Sequence, residues 1–184
     1  QIGRYRDYGL PEPNFLPTQA HPTVNSEILD KIRHGKIHPR SGIESIAGHR
    51  VYFTDGTSSE YDVIIAATGY TINFPFFDRN FIDWGEAKHI PLYLRVFHPE
   101  HSSLFFVGLI QPQGCIWTLT EAQSYLIAQY LIGKAQLPSN WREQAAREGE
   151  YWASQFIIRP RHSLEVHYYP YLKKLQQMSA GKSA

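Results

Sequence analysis

Two segments of the sequence combine an apolar strand, a glycine and a loop, an arrangement that can bind a flat cofactor or a phosphate. The apolar run YDVIIAAT ends at the small residues Ala67, Thr68 and Gly69. The later run SLFFV ends at Gly108, and a loop then leads into a helix near Thr118. Ligands of open α/β sheets bind beyond the carboxyl ends of such strands. Both segments are therefore candidate cofactor sites, although most strand–glycine–helix units are purely structural.

The helix near Thr118 has a sequence that can begin with exposed N–H groups. Residues 118–121 read TLTE, the pattern of a capping box with Thr118 as the N-cap and Glu121 at N3. The first N–H groups of a helix carry partial positive charge and stabilise an anion. We therefore expect Thr118, Leu119 and Thr120 to offer backbone N–H groups to an electron-rich ligand.

Other reactive or charged side chains have simpler interpretations. Cys115 lies near the helix start, where a thiol pKa falls, but the sequence places no base beside it. The nine histidines have no Asp, Glu or Cys cluster around them, so we expect capping or surface histidines and no metal site. The basic residues between positions 31 and 40 fit the solvated end of a helix. No catalytic residue is identified from the sequence.

Composition limits the class of protein. The chain has 184 residues, of which 42% are apolar and 19% charged, a composition too apolar for a disordered protein. A net charge of +1 gives no field for binding nucleic acid or an anionic membrane. No apolar run reaches the roughly 18 residues of a membrane span. The single cysteine excludes an internal disulfide, and we expect a cytoplasmic protein.

The pattern of apolar residues and turn signals predicts a mixed α/β chain. A short helix follows Asn25 or Ser26 and ends near Gly35. A β-meander with a turn at Asp55-Gly56 comes next. Strands are predicted at 61–68 and 103–107, and helices at 118–132, about 140–156 and 170–178, the last with a proline at N1. The main boundary is expected near position 70.

Two segments resemble flavin-containing monooxygenases. YDVIIAATGY, preceded by FTDGT, resembles the ATG stretch of that family, and LFFVGLIQPQGCIWTLTEAQ is similar to its flavin-side strand, loop and helix. The resemblance implies an α/β fold that is part of a flavoprotein with two Rossmann-like dinucleotide-binding domains. Residues 1–70 would be the C-terminal part of the NADPH-binding domain, including the meander. Residues 71–184 would be the C-terminal part of the FAD-binding domain with the terminal helices.

The family's two Gly-rich dinucleotide turns are not present in this sequence. The resemblance therefore implies a fragment whose partner is the missing N-terminal portion of the same protein. It also implies cofactor-binding roles for nine residues. Ala67, Thr68 and Gly69 would lie near NADPH, Gln111, Gln113 and Gly114 would line the flavin ring of FAD, and Thr118, Leu119 and Thr120 would approach its pyrimidine side.

The resemblance implies that the parent protein uses NADPH and O₂ to oxygenate a nucleophilic nitrogen or sulfur centre through a C4a-hydroperoxyflavin. Its substrate would be a small amine or sulfide, or a ketone if it is a Baeyer–Villiger-type monooxygenase. The hydrophobic tail anchor of some animal members is absent, which implies a soluble relative. A catalytically inert, partner-dependent module is the other alternative. Strand 61–68 would then have open edges, which favour self-association into a homo-oligomer.

Overall fold

A computed structural model describes residues 3–14, 25, 27–87, 89–156 and 163–181. These residues form a mixed α/β chain with two small sheets. Contacts divide the chain into two compact units, with the boundary between Thr68 and Gly69. That boundary lies close to position 70, whereas the assignment of the units to NADPH and FAD domains stays a prediction.

The first unit contains a three-stranded antiparallel meander, as predicted. Its strands are β1 (Ile43–Ala47), β2 (Arg50–Phe53) and β3 (Ser58–Glu60), in the order β1-β2-β3. Burial alternates along β2, where Val51 and Phe53 are buried and their neighbours are exposed. This alternation is typical of a sheet with one face against a core.

The turn between β2 and β3 forms at Asp55-Gly56, and the prediction is confirmed. Gly56 has a φ of 79°, a left-handed conformation that glycine adopts without strain. The Asp55 carboxylate accepts hydrogen bonds from the N–H and the hydroxyl of Thr57. These bonds hold the turn in its tight form.

Two short helices precede the meander. A 3₁₀ helix covers Tyr5–Tyr8, and α1 covers Ile28–Arg33. Asn25 accepts the N–H groups of Glu27 and Ile28 through its side-chain oxygen, so it bonds to the start of the helix as expected, but the N-cap position is occupied by Glu27. Ser26 lies outside the described residues.

Segment 61–68, predicted to be a buried central strand, forms no strand among the described residues. Its side chains are exposed, Val63 by 74% and Ile65 by 85%. An apolar strand needs neighbours that take its backbone groups and cover its faces. The described strands of this unit pair only with one another, so the strand prediction was wrong for this chain.

The second unit is built on three helices: α2 (Ile116–Leu131), α3 (Trp141–Gln155) and α4 (Tyr168–Ser179). The bounds of α3 agree with the prediction. α2 packs against α4, and the apolar stripes of all three helices meet in one core. The buried helix residues of this core include Leu119, Leu126, Trp141, Ala145, Trp152, Tyr171, Leu175 and Met178.

Two helix starts differ from the prediction. α2 begins at Ile116 with Cys115 as its N-cap, so Thr118 occupies N3 and the predicted capping box was wrong. α4 begins at Tyr168, which places Pro170 at N3 instead of N1. Proline is tolerated there because the N–H groups of the first turn have no partner within the helix.

The predicted strand at 103–107 is reduced to an isolated bridge between Phe105 and Phe97. Phe106 instead packs into a second apolar cluster with Trp84, where their ring centroids are 5.1 Å apart. The sheet of this unit consists of β4 (Gln111–Pro112) paired in parallel with β5 (Glu165–Val166).

Candidate functional site

Residues 108–114 form a loop (the 108–114 loop) that is held at three points. The N–H of Gly108 donates to Oε1 of Gln123 at 2.8 Å. Near its middle, the N–H of Gln111 donates to the carbonyl of Leu164 at 2.7 Å. At its end, Gly114 lies so close to Tyr168 that an added Cβ would be 2.9 Å from the ring. The loop, which includes β4, therefore has a fixed course up to the start of α2.

The N-cap of α2 is Cys115, so the first N–H groups of the helix face a thiol and not a Ser, Thr, Asp or Asn side chain. Four such N–H groups lack a partner within a helix, and here they belong to residues 115–118. Thr118 is exposed, Trp117 is 77% exposed, and the first turn contains no acidic residue. The end of the helix is thus open to an anionic or electron-rich group.

The pKa of Cys115 depends on the N–H groups at this helix start. Its thiol is exposed, and hydrogen bonding from the backbone N–H of Thr118, followed by that of Trp117, lowers its pKa. A lowered thiol pKa means that the surroundings stabilise negative charge. The N–H groups at the start of α2 therefore favour negative charge at a position that solvent reaches.

The structure brings six of the nine predicted site residues into one stretch of the second unit. Gln111 and Gln113 are half-buried and Gly114 is exposed. Thr120 approaches the other end of the loop, since a Cβ on Gly108 would lie 3.4 Å from its methyl group. The loop and the first turns of α2 are therefore neighbours, whereas the binding roles of these six residues stay a prediction.

The set of free N–H groups at this helix differs from the prediction. Because the N-cap of α2 lies three residues earlier than predicted, at Cys115, the N–H groups of Leu119 and Thr120 fall within the regular hydrogen bonding of the helix. The side chain of Leu119 is fully buried, and the hydroxyl of Thr120 donates to the carbonyl of Trp117 at 2.8 Å. Thr118 keeps its predicted exposure, and Ile116 and Trp117 are donors that the sequence reasoning missed.

The other three predicted residues lie at the boundary between the units. Ala67 and Thr68 are the last residues of the first unit, and Gly69 is the first of the second. All three are exposed. Their place near a nicotinamide cofactor stays a prediction.

A left-handed turn in the core of the second unit contains polar groups that the sequence reasoning missed. Leu94 and Arg95 have φ values of 52° and 56°, unusual for residues with a side chain, and both are buried. The N–H of Leu94 donates to Oε2 of Glu148 at 2.7 Å, and its carbonyl accepts the Tyr171 hydroxyl at 2.6 Å. Burial lowers the pKa of the Arg95 guanidinium. The turn is therefore fixed by side chains from α3 and α4.

Gln123 and Glu148 could be found from helical spacing alone. Gln123 lies four residues after Leu119 and three before Leu126, which places it in the buried stripe of α2. Glu148 lies four residues before Trp152 in the buried stripe of α3 in the same way. A polar residue inside an apolar stripe is the signal of a buried hydrogen bond.

Comparison with known proteins gives the family. A family model described as flavin-binding monooxygenase-like matches residues 3–184. The chain belongs to the flavin-binding monooxygenase-like family. The resemblance seen in the sequence is thereby confirmed.

Several curated proteins are similar to this chain in sequence. A decarboxylating 4-hydroxybenzoate brominase of Marinomonas mediterranea is 34% identical over 161 residues, which cover 85% of this chain and 30% of that protein. The N-oxide-forming dimethylaniline monooxygenase 2 of Rattus norvegicus is 31% identical over 177 residues, which cover 93% of this chain and 32% of that protein. Human flavin-containing monooxygenase 2 is 30% identical over 176 residues, which also cover 93% of this chain and 32% of that protein. The chain spans about a third of the length of these relatives.

The start of α2 fits the ring system that gives this flavin-binding family its name. Reduced flavin carries negative charge, and the N–H groups that lower the pKa of the Cys115 thiol are of the kind that stabilise such charge. Across the described residues, no group of three or more His, Cys, Asp and Glu side chains could hold a metal ion. No described helix is long and apolar enough to cross a bilayer.

Proposed function

We propose that this chain is the C-terminal part of an FAD- and NADPH-dependent monooxygenase, a partial flavoprotein with two dinucleotide-binding domains. Two findings support the proposal: the family match over residues 3–184 and the coverage of about a third of each relative. The observation that carries it is the solvent-exposed start of α2, with Cys115 as its N-cap, beside the 108–114 loop. Residues 1–70 are proposed to belong to the NADPH-binding domain and residues 71–184 to the FAD-binding domain.

FAD, when bound, supplies the hydride acceptor and the reaction with O₂. The N–H groups of Ile116, Trp117 and Thr118 would stabilise the negative charge of the reduced ring. Gln111, Gln113 and Gly114 would line the ring. The bulky side chain of Trp117, exposed in this chain, would exclude water from it.

The N-terminal portion of the same protein is the proposed partner, and its strands cover segment 61–68. The exposed apolar side chains Val63, Ile64 and Ile65 support this assignment, because a segment of this composition is stable when buried on both faces. With that cover in place, Ala67, Thr68 and Gly69 lie near NADPH. Without it, the isolated chain is inactive and associates through the exposed segment.

The proposed substrate is a small amine or sulfide, which is oxygenated in the cytoplasm without a role for nucleic acid or membrane. The N-oxide-forming relative of Rattus norvegicus supports this class. A ketone substrate, as in Baeyer–Villiger oxidation, is the alternative within the same chemistry. The 4-hydroxybenzoate brominase relative favours a second candidate, the halogenation of a phenolic acid.

Expression of this chain together with the N-terminal portion encoded upstream of Gln1 tests the proposal. We expect an upstream GxGxxG motif, a yellow protein, and NADPH oxidation that increases with a tertiary amine or a sulfide. A cyclic ketone, and 4-hydroxybenzoate with bromide, distinguish the alternatives by their products. A colourless preparation that does not oxidise NADPH would contradict the proposal and favour the inert module.

A further inference from the structure

Gln123 and Tyr171 form a buried hydrogen-bonded connection between the 108–114 loop and the left-handed turn at Leu94. The N–H of Gly108 donates to Gln123 at 2.8 Å, and Nε2 of Gln123 donates to the Tyr171 oxygen at 2.7 Å. The Tyr171 hydroxyl then donates to the Leu94 carbonyl at 2.6 Å. We propose that Gln123 and Tyr171 are positioning residues that set the loop at the flavin ring, an inference that rests on the proposed function.

The chemistry of the two end groups fixes the direction of this connection. A backbone N–H can only donate and a backbone carbonyl can only accept. Gln123 must therefore turn its oxygen to Gly108 and its NH₂ to Tyr171, and Tyr171 must direct its hydrogen to Leu94. No member can reverse without leaving a neighbour unpaired, so the amide of Gln123 has one orientation.

Burial makes the connection rigid. Gln123 and Tyr171 are both 0% exposed, so water cannot replace a lost partner. Burial also raises the pKa of Tyr171 far above its ordinary value, which keeps its hydroxyl protonated as a donor. A buried polar group without a partner is costly, so each group holds the next in place.

The far end of the connection is fixed by a second pair of bonds. Oε2 of Glu148 accepts the N–H of Leu94 at 2.7 Å, and its Oε1 accepts Nζ of Lys174 at 2.8 Å. Tyr171 and Lys174 both belong to α4. Tyr171 holds the carbonyl of Leu94 directly, and Lys174 acts on the N–H of Leu94 through Glu148 of α3. The turn cannot shift toward the loop without breaking both bonds.

Helix α4 reaches the other end of the loop as well. The ring of Tyr168, in the first turn of α4, lies against Gly114. One helix thus sets both ends of the loop, Gly108 through Tyr171 and Gln123, and Gly114 through Tyr168. The geometry explains how a loop of seven residues can present Gln111 and Gln113 reproducibly.

The test uses two variants with matched controls in the protein that contains the N-terminal portion. Gln123→Leu removes the acceptor of Gly108, whereas Tyr171→Phe leaves that acceptor in place and removes the hydroxyl that supports it and that donates to the Leu94 carbonyl. Gln176→Leu and Tyr125→Phe make the same chemical changes at exposed positions of α4 and α2. The readouts are FAD affinity by flavin fluorescence and the visible absorption bands of the bound flavin.

We expect Gln123→Leu to weaken FAD binding about tenfold and to shift the flavin bands, since it leaves the N–H of half-buried Gly108 without its side-chain acceptor. Tyr171→Phe should have a smaller effect of the same kind, and both controls should match the unaltered protein. Equal affinity and equal spectra for Gln123→Leu and Gln176→Leu would overturn the proposal. A general loss of structure would lower flavin content without changing the spectrum of the flavin that remains, and that result would also overturn it.

Amide hydrogen exchange of the 184-residue chain separates this inference from the proposed function. If the unaltered protein binds no FAD, the proposed function fails, but exchange at 108–114 still measures loop positioning. Gln123→Leu should then accelerate exchange at 108–114 more than in α3. Unchanged exchange in the loop, or an equal rise in α3, would overturn the positioning role.

Discussion

At the scale of single residues, buried polar side chains determine the geometry around the candidate flavin site. Gln123, Glu148 and Tyr171 are buried among apolar neighbours, and each bonds to a backbone group. The sequence predicted the loop and helix residues Gln111 and Thr118 from their resemblance to a family motif. It did not predict Gln123, because reasoning from apolar periodicity expects an apolar residue on a buried helix face.

Replacing Glu148 with alanine should destabilise the chain. The change leaves the buried N–H of Leu94 without a partner and releases Lys174, which together cost about 1–3 kcal/mol. Urea denaturation followed by circular dichroism measures the loss. Glu150→Ala, at an exposed position of the same helix, should change the free energy of unfolding by less than about 0.5 kcal/mol. Equal midpoints for the two variants would contradict the role of Glu148.

The thiol of Cys115 should be reactive at lower pH in the folded chain than in the unfolded chain. Its pKa is lowered in the folded state, so the thiolate that reacts is present at lower pH. Alkylation by iodoacetamide across a pH series, read by mass spectrometry, gives the midpoint. The same chain in urea is the internal control, because it lacks the helix. Coincident midpoints would show that the start of α2 does not stabilise negative charge.

At the scale of elements, the sequence predicted the meander and several local signals correctly, but not the starts of α2 and α4 and not the fate of two apolar strands. The turn at Asp55-Gly56 and the bounds of α3 depend on neighbouring residues, and both are confirmed. The strands at 61–68 and 103–107 depend on partners elsewhere, and neither forms a ladder among the described residues. Composition alone cannot reveal whether such a partner is present in the chain.

The contact between α2 and α4 should contribute much of the stability of the second unit. Leu175→Ala removes a fully buried side chain from α4 and should cost about 2–5 kcal/mol. Leu131→Ala, at the end of α2, removes a side chain that is 65% exposed and should cost much less. Denaturation midpoints of the two variants test the difference, and a similar small loss in both would contradict this packing.

At the scale of the whole molecule, the chain is about a third of the length of its relatives. Its exposed apolar segment 61–68 is the proposed docking surface for the N-terminal portion. Amide exchange should be fast at 61–68 in the 184-residue chain, since no ladder protects its N–H groups. Co-expression with the N-terminal portion should slow exchange there by at least about tenfold, while exchange in the β1–β3 meander changes little. Fast exchange at 61–68 in the joined protein would contradict the proposed docking.

Hydrogen exchange at residues 108–120, compared in the joined protein with and without bound FAD, tests the proposed flavin site most directly. We predict that FAD slows exchange in this segment, which contains the 108–114 loop and the start of α2, and leaves exchange in α3 unchanged. Bound FAD with unaltered exchange at 108–120 would contradict it.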